Sequence, residues 1–99
     1  MNTIKQVEQI EFPETEPRDN FEFECVATSG TFTFHFKWIN NSWSVWVTLP
    51  DGSVRQAGVY PNVINWTGYS DYGLVFITDF EQIDYSSLFN TSLRLITWL

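Results

Sequence analysis

The sequence between residues 31 and 38 alternates without a break between polar and aromatic side chains. Its aromatic members are Phe32, Phe34, Phe36 and Trp38. A period of two is that of a β-strand, whose successive side chains point to opposite faces, whereas a helix repeats about every 3.6 residues. The segment therefore predicts a strand with one buried aromatic face and one polar face turned to solvent.

The segments on either side continue this pattern. Alternation over 21–26 and 43–49 predicts two more strands, and 53–57 returns as another. The connections between them hold residue types that tolerate the backbone of tight turns: Ser29-Gly30, Asn40-Asn41 and Pro50-Asp51-Gly52. Strands joined by such short turns predict an antiparallel meander.

The second half of the chain is less regular. Its continuous apolar run at 74–78 predicts a fully buried strand, and Asp84 is placed to cap one helical turn through Phe89. Further strands are predicted at 63–66 and 91–98. The predicted fold is all-β, a small antiparallel β-barrel or a two-layer β-sandwich of about six to eight short strands.

Charge divides the chain into an extended acidic N-terminal arm, residues 1–20, and a single β domain, residues 21–99. Seven acidic and two basic side chains fall within the first 24 residues. Pro13 and Pro17 exclude a helix and a central strand around them.

Within the arm, a short edge strand over 3–12 would place Ile4, Ile10 and Phe12 on one face. Two interpretations of the arm stay open, a solvated acidic leader and a segment that docks on a partner.

Composition excludes several classes of protein. The chain is 43% hydrophobic and 18% aromatic over 99 residues, which is the apolar content of one folded domain rather than of a disordered tail. The net charge of −7 argues against specific nucleic-acid binding, which needs basic side chains at the phosphates. Because no apolar run has the length of a membrane span or signal peptide, we expect a protein of the cytoplasm that does not insert into membranes.

The residue types of catalysis and metal binding are few and scattered. The single cysteine, Cys25, is in phase with predicted core residues, and the single histidine, His35, is on the polar face of a strand. They cannot form a Cys/His zinc site, and no nucleophile–base pair is evident. We therefore expect no enzyme activity, no cofactor and no metal. Turn and cap roles suit the acidic residues near predicted loops: Asp71, Asp79, Glu81 and Asp84.

Aromatic residues outside the main alternation are the candidate contact residues. Trp46 is out of phase with Trp43, so it is predicted to face away from the buried side of its strand. Exposed Trp and Tyr rings anchor protein interfaces or stack on sugar rings, whereas buried rings fill a core, and all three roles stay open here. The predicted partner contacts are Trp46, Trp66, Tyr69, Tyr72, Ile4, Ile10 and Phe12.

The order of segments along the chain is also informative. An aromatic-alternating strand, an Asn-rich turn and the run Trp43-Ser44-Val45-Trp46-Val47 are followed by Asp51-Gly52, a segment bearing Gly58, the strand at 74–78 and a terminal Leu93-Arg94-Leu95-Ile96. Over residues 21–99 this succession resembles the short baseplate plug proteins of contractile-tailed bacteriophages.

The resemblance implies a non-enzymatic structural protein that seals the distal end of the tail tube. Its expected partners are the baseplate hub, spike and tail-tube proteins, with several copies around the tail axis. It implies a location in the tail baseplate of the virion, and in the host cytoplasm during assembly. The residues also allow an alternative, a small carbohydrate-binding module that uses exposed Trp and Tyr as stacking platforms.

Overall fold

The computed structural model describes residues 4–12, 18–67 and 72–98. These residues form eight β-strands and one 3-10 helix, Ser87–Asn90. The strands are β1 (Ile4–Ile10), β2 (Asn20–Ala27), β3 (Gly30–Ile39), β4 (Ser42–Thr48), β5 (Val54–Ala57), β6 (Ile64–Trp66), β7 (Tyr72–Ile77) and β8 (Ser92–Trp98). None of the described segments forms a helix that is long and apolar enough to cross a membrane.

The strands form two antiparallel sheets of four strands each. Sheet I has the order β1-β8-β7-β6, and sheet II has the order β2-β3-β4-β5. Contacts such as that between the rings of Phe36 and Phe76, whose centroids are 6.1 Å apart, join the two sheets into one core. The all-β prediction is confirmed, in the form of two layers.

Inward-facing side chains from both sheets fill this core. Sheet II contributes the aromatic row that the sequence predicted, since Phe32, Phe34 and Phe36 have no exposed surface. Sheet I contributes four side chains that are equally enclosed: Leu74, Phe76, Leu93 and Leu95. The alternate residues of each strand consequently point outward, and they decide what the two outer faces of the molecule are made of.

The turns of sheet II follow from particular residue types. Asn40 and Asn41 have φ values of 52° and 62°, and asparagine is among the few residues that enter this left-handed region readily. Gly30 has φ 135°, and a Cβ atom there would lie 2.8 Å from Cβ of Pro50. This position therefore requires glycine both for its backbone angle and for its packing.

The N-terminal segment belongs to sheet I. Strand β1 pairs antiparallel with β8, with Ile10 opposite Leu93, and forms the edge strand predicted within 3–12. Both carboxylate oxygens of Glu8 accept the backbone N–H of Thr28 at 3.2 Å, which connects this edge to the β2–β3 turn. The domain thus includes β1, and residues 1–3 and 13–17 of the predicted arm lie outside the described residues.

Two details of the second half differ from the sequence predictions. The apolar run at 74–78 is not fully buried, because Ile77 is 44% exposed on the uncovered face of sheet I. The helical turn begins at Ser87 rather than just after Asp84. Asp84 still stabilises its start, because its carboxylate accepts the backbone N–H of Ser87 at 2.9 Å.

Candidate interaction surface

One row of side chains on the outer face of sheet I is apolar across all four strands. Register places Val7 of β1 beside Ile96 of β8, Ile96 beside Gly73 of β7, and Gly73 beside Trp66 of β6. A second row runs parallel to the first, in the order Gln9, Arg94, Val75 and Ile64. Sheet I therefore carries apolar side chains on both sides, against the core and on the outer face, where Gln9 and Arg94 lie beside them.

Gly73 allows two large side chains to lie across this face. A Cβ atom at residue 73 would come within 2.7 Å of Cγ2 of Ile64 and 3.1 Å of Cε3 of Trp66. Both side chains therefore occupy the space above the glycine instead of standing away from the sheet. The result is a low apolar surface between β6 and β8.

Much of this surface remains in contact with solvent. Val7 is 55% exposed, Ile77 44% and Trp66 40%, although the Ile96 side chain between the outer strands is nearly covered. Complete burial of one large apolar side chain contributes about 2 kcal/mol, so covering the exposed halves of these three would contribute about 3 kcal/mol. A contiguous apolar row of this kind is typical of a surface that a partner covers.

The outer face of sheet II has the opposite character. One row crosses its four strands in the order Glu22, His35, Trp46 and Gln56. His35 lies between the carboxylate of Glu22, 3.7 Å from its Nδ1, and the side-chain oxygen of Asn20, to which its Nε2 is hydrogen-bonded. Polar and charged side chains occupy most of this face, which suits contact with solvent.

Trp46 faces outward on sheet II, as its phase predicts. It lies opposite His35 in the register and is half-buried, and the ammonium group of Lys37 lies 5.3 Å from its ring centroid. A cation at this distance is attracted by the electrons of the ring face. Lys37 thus covers part of the ring that a stacking ligand would need.

The predicted contact residues separate into different environments. Trp46 and Trp66 lie on the outer faces of different sheets and cannot form one platform. Tyr72 points into the molecule, where its ring meets that of Phe32 edge to face with centroids 4.9 Å apart. Tyr69 lies outside the described residues.

The predicted contacts at the N-terminus are mostly interior. Ile10 is 5% exposed and belongs to the core, so it stabilises the domain instead of facing a partner. Phe12 is half-buried in an aromatic cluster, with ring centroids 5.6 Å from Phe36 and 6.0 Å from Phe89. Ile4 lies opposite Trp98 at the far end of the β1–β8 pair.

The titratable residues show ordinary structural roles. Burial, with a smaller effect of the Glu8 charge, raises the pKa of the Cys25 thiol, which disfavours the reactive thiolate. Hydrogen bonds from Ser87 lower the pKa of Asp84, and those from Ser53 lower that of Asp51. Among the described residues, no group of three His, Cys, Asp or Glu side chains is arranged to hold a metal ion.

Sequence reasoning named Trp66 but missed two other exposed apolar residues of sheet I, Val7 and Ile77. Val7 is out of phase with Ile4 and Ile10, and Ile77 was assigned to a buried strand. The signal that could have found Ile77 is the continuous apolar run at 74–77. Such a strand is apolar on both faces, and the core of a two-layer molecule covers only one of them.

Comparison of the chain with protein-family models, with curated proteins and with solved structures found no match.

Proposed function

We propose that this protein is a non-enzymatic structural component of a phage tail baseplate, and that it docks on its neighbours through the outer face of sheet I. The observation that carries the proposal is the apolar row on this face, in which Val7 is 55% and Trp66 40% exposed, with Ile77 44% exposed on the same face. The outer face of sheet II, on which most outward side chains are polar, provides the contrasting surface.

The assembly named in this proposal comes from the resemblance of the sequence to baseplate plug proteins. The short baseplate plug proteins that the sequence resembles seal the distal end of a contractile tail tube, so the partners proposed here are the hub, spike and tail-tube proteins. Several copies around the tail axis would each present the same apolar face to a neighbour. The net charge of −7 suits a part that lies near exiting DNA without binding it.

The proposal is tested first by quantitative mass spectrometry of purified tailed particles from the virus that encodes the chain. We expect the protein in intact particles at a few copies each, together with the hub and spike proteins. Its absence from particles, with the chain abundant in the lysate, would overturn the assignment to the baseplate.

A second experiment tests the docking face itself. Val7→Lys and Ile77→Lys each place a charge on the outer face of sheet I, at positions exposed enough for the fold to tolerate it. Val54→Lys is the matched control, because Val54 is 58% exposed on an edge strand of sheet II.

In particles assembled from each variant, we expect Val7→Lys and Ile77→Lys to lower the incorporated copy number by tenfold or more. Burying an unpaired charge costs several kcal/mol, and about 1.4 kcal/mol already corresponds to a factor of ten. Val54→Lys is expected to be incorporated normally. Equal incorporation of all three variants would show that another surface makes the contact.

The carbohydrate-binding alternative loses the platform on which it was based. Its four proposed rings lie on different faces, in the interior, or outside the described residues, and Lys37 covers part of Trp46. A stacking role for Trp46 alone remains open to a direct test, in which polysaccharide is titrated against the fluorescence of the protein and of a Trp46→Ala variant.

A further inference from the structure

A groove opens where strand β5 leaves β4. The pairing of these strands ends at Val45 opposite Ala57, but β4 starts three residues earlier, at Ser42. The chain after Ala57 turns away from residues 42–44 and leaves a cavity of about 420 Å³ beside them. Small-molecule sites commonly have volumes of about 300–1,000 Å³.

Both polar and apolar side chains line this cavity. Ser42, Ser44 and Gln56 supply hydroxyl and amide groups, which both donate and accept hydrogen bonds. Tyr60 and Ile83 supply aromatic and aliphatic surface, and the Tyr60 side chain is largely exposed. None of the residues that line the cavity is charged.

The aromatic wall is held in place by a buried asparagine. The side-chain oxygen of Asn65 accepts the backbone N–H of Tyr60, and its amide nitrogen donates to the carbonyl of Tyr60, both at 3.1 Å. A Cβ atom at Gly58 would lie 2.5 Å from Cε2 of Tyr60, so the ring lies directly against the glycine. The loop that carries Tyr60 is thus fixed before any ligand arrives.

A second cavity of about 270 Å³ continues the groove. The two cavities share Ser42, Val59, Tyr60 and Ile83, which places the tyrosine at their junction. Glu81 lies on the wall of the second cavity and is the one charged residue that lines either of them. The groove therefore has room for a ligand of two rings that extends past Tyr60.

We propose that this groove binds a neutral carbohydrate of at least two sugar units. A sugar ring would rest its apolar C–H face on Tyr60 and exchange hydrogen bonds with Gln56 and Ser44. Anionic ligands are disfavoured because the lining holds one carboxylate and no basic side chain. A wholly apolar ligand would leave the serine and glutamine groups without hydrogen-bond partners.

The test is an NMR titration of the whole protein with maltose, cellobiose and N,N′-diacetylchitobiose. At least one of these disaccharides is expected to shift the amide signals of residues 42–44 and 56–60, with a dissociation constant of about 1 mM. Tyr60→Ala and Gln56→Ala should each weaken that binding by about fivefold to tenfold. Tyr60→Phe should retain most of it, because it keeps the ring.

Gln9→Ala is the matched control, because it removes an exposed glutamine from sheet I, and it should bind as the original protein does. Shifts that survive Tyr60→Ala would overturn the assignment of the site. The absence of shifts with all three sugars at about 50 mM would overturn the proposal, since that concentration far exceeds the expected constant. The proposal would also be overturned if an extended peptide shifted the amide signals of residues 42–44 and the sugars did not. That result would show that the groove accepts an added β-strand.

Discussion

Replacing Asn65 tests whether one buried side chain fixes the geometry of the irregular half of the domain. Asn65 is 5% exposed. Its amide nitrogen lies within 3.2 Å of the carbonyl oxygens of Tyr60, Val63 and Leu74, and its oxygen accepts the N–H of Tyr60. It thereby joins the loop after β5 to strand β7 of the other sheet.

The expected effect of Asn65→Ala follows from these contacts. A protein hydrogen bond contributes about 1 kcal/mol net, and a buried polar group left without a partner costs about 1–3 kcal/mol. Water that enters at the groove can form hydrogen bonds with some of the backbone groups that lose their partner in Asn65→Ala. We therefore expect the free energy of unfolding to fall by about 3 kcal/mol. That is a large share of the roughly 5–15 kcal/mol by which a domain is stable.

Urea unfolding followed by tryptophan fluorescence measures this loss. With a slope of about 1.5 kcal/mol per molar urea, the midpoint should fall by about 2 M. Asn65→Leu keeps the volume of the side chain but not its hydrogen bonds, and it should be comparably destabilising. The control is Asn90→Ala, which should change stability by less than about 0.5 kcal/mol because Asn90 is exposed. A loss below about 1 kcal/mol for Asn65→Ala, or an Asn65→Leu variant as stable as the original, would refute the reasoning.

Three further outcomes follow from the structure. Glu8→Gln removes a charge that raises the pKa of the Cys25 thiol, so it should speed the alkylation of Cys25 by iodoacetamide at pH 8, by less than about tenfold. Equal alkylation rates in the variant and the original protein would exclude this influence of Glu8. Gly30→Ala should lower the free energy of unfolding, measured in urea, by about 2 kcal/mol. Gly52→Ala should lower it by less, because a Cβ atom at residue 52 meets no atom within 4 Å. Equal losses in the two variants would show that the contact with Pro50 contributes nothing. Because Ser87 lowers the folded-state pKa of Asp84, this carboxylate's stabilisation is present above its unfolded-state pKa and is lost as pH falls below about 4. The Asp84→Asn variant should therefore lose less stability between pH 7 and pH 3 than the original protein does. An equal loss in the two proteins would contradict this.

The regular half of the fold could be predicted from local pattern. The aromatic face of β3 and the outward position of Trp46 follow from a period of two, which depends only on the geometry of an extended backbone. The turn at Asn40-Asn41 follows from the left-handed backbone that asparagine tolerates, as its φ values show. Such signals lie within a few residues of the structure they specify, so no knowledge of distant neighbours was needed.

The candidate interaction face could not be predicted in the same way. Val7 and Trp66 are separated by 59 positions in the chain, and they share a row only because β1 pairs with β8 and β7 lies between β8 and β6. The inward turn of Tyr72 and the burial of Ile10 also depend on which strands become neighbours. The sequence made Tyr72 a candidate contact by its residue type and Ile10 by its phase, and neither signal shows which face of a strand the core will cover.

What the sequence by itself determined is the all-β class, the phase of each strong strand and the position of its tight turns, because these depend on local backbone and side-chain geometry. Only the tertiary structure decided which faces are covered. Each sheet has two sides and a two-layer molecule has one core, so one side of each sheet stays outside. In this protein an apolar row crosses the outer side of sheet I, whereas most outward side chains of sheet II are polar, and strand order assembles that row from residues far apart in the chain.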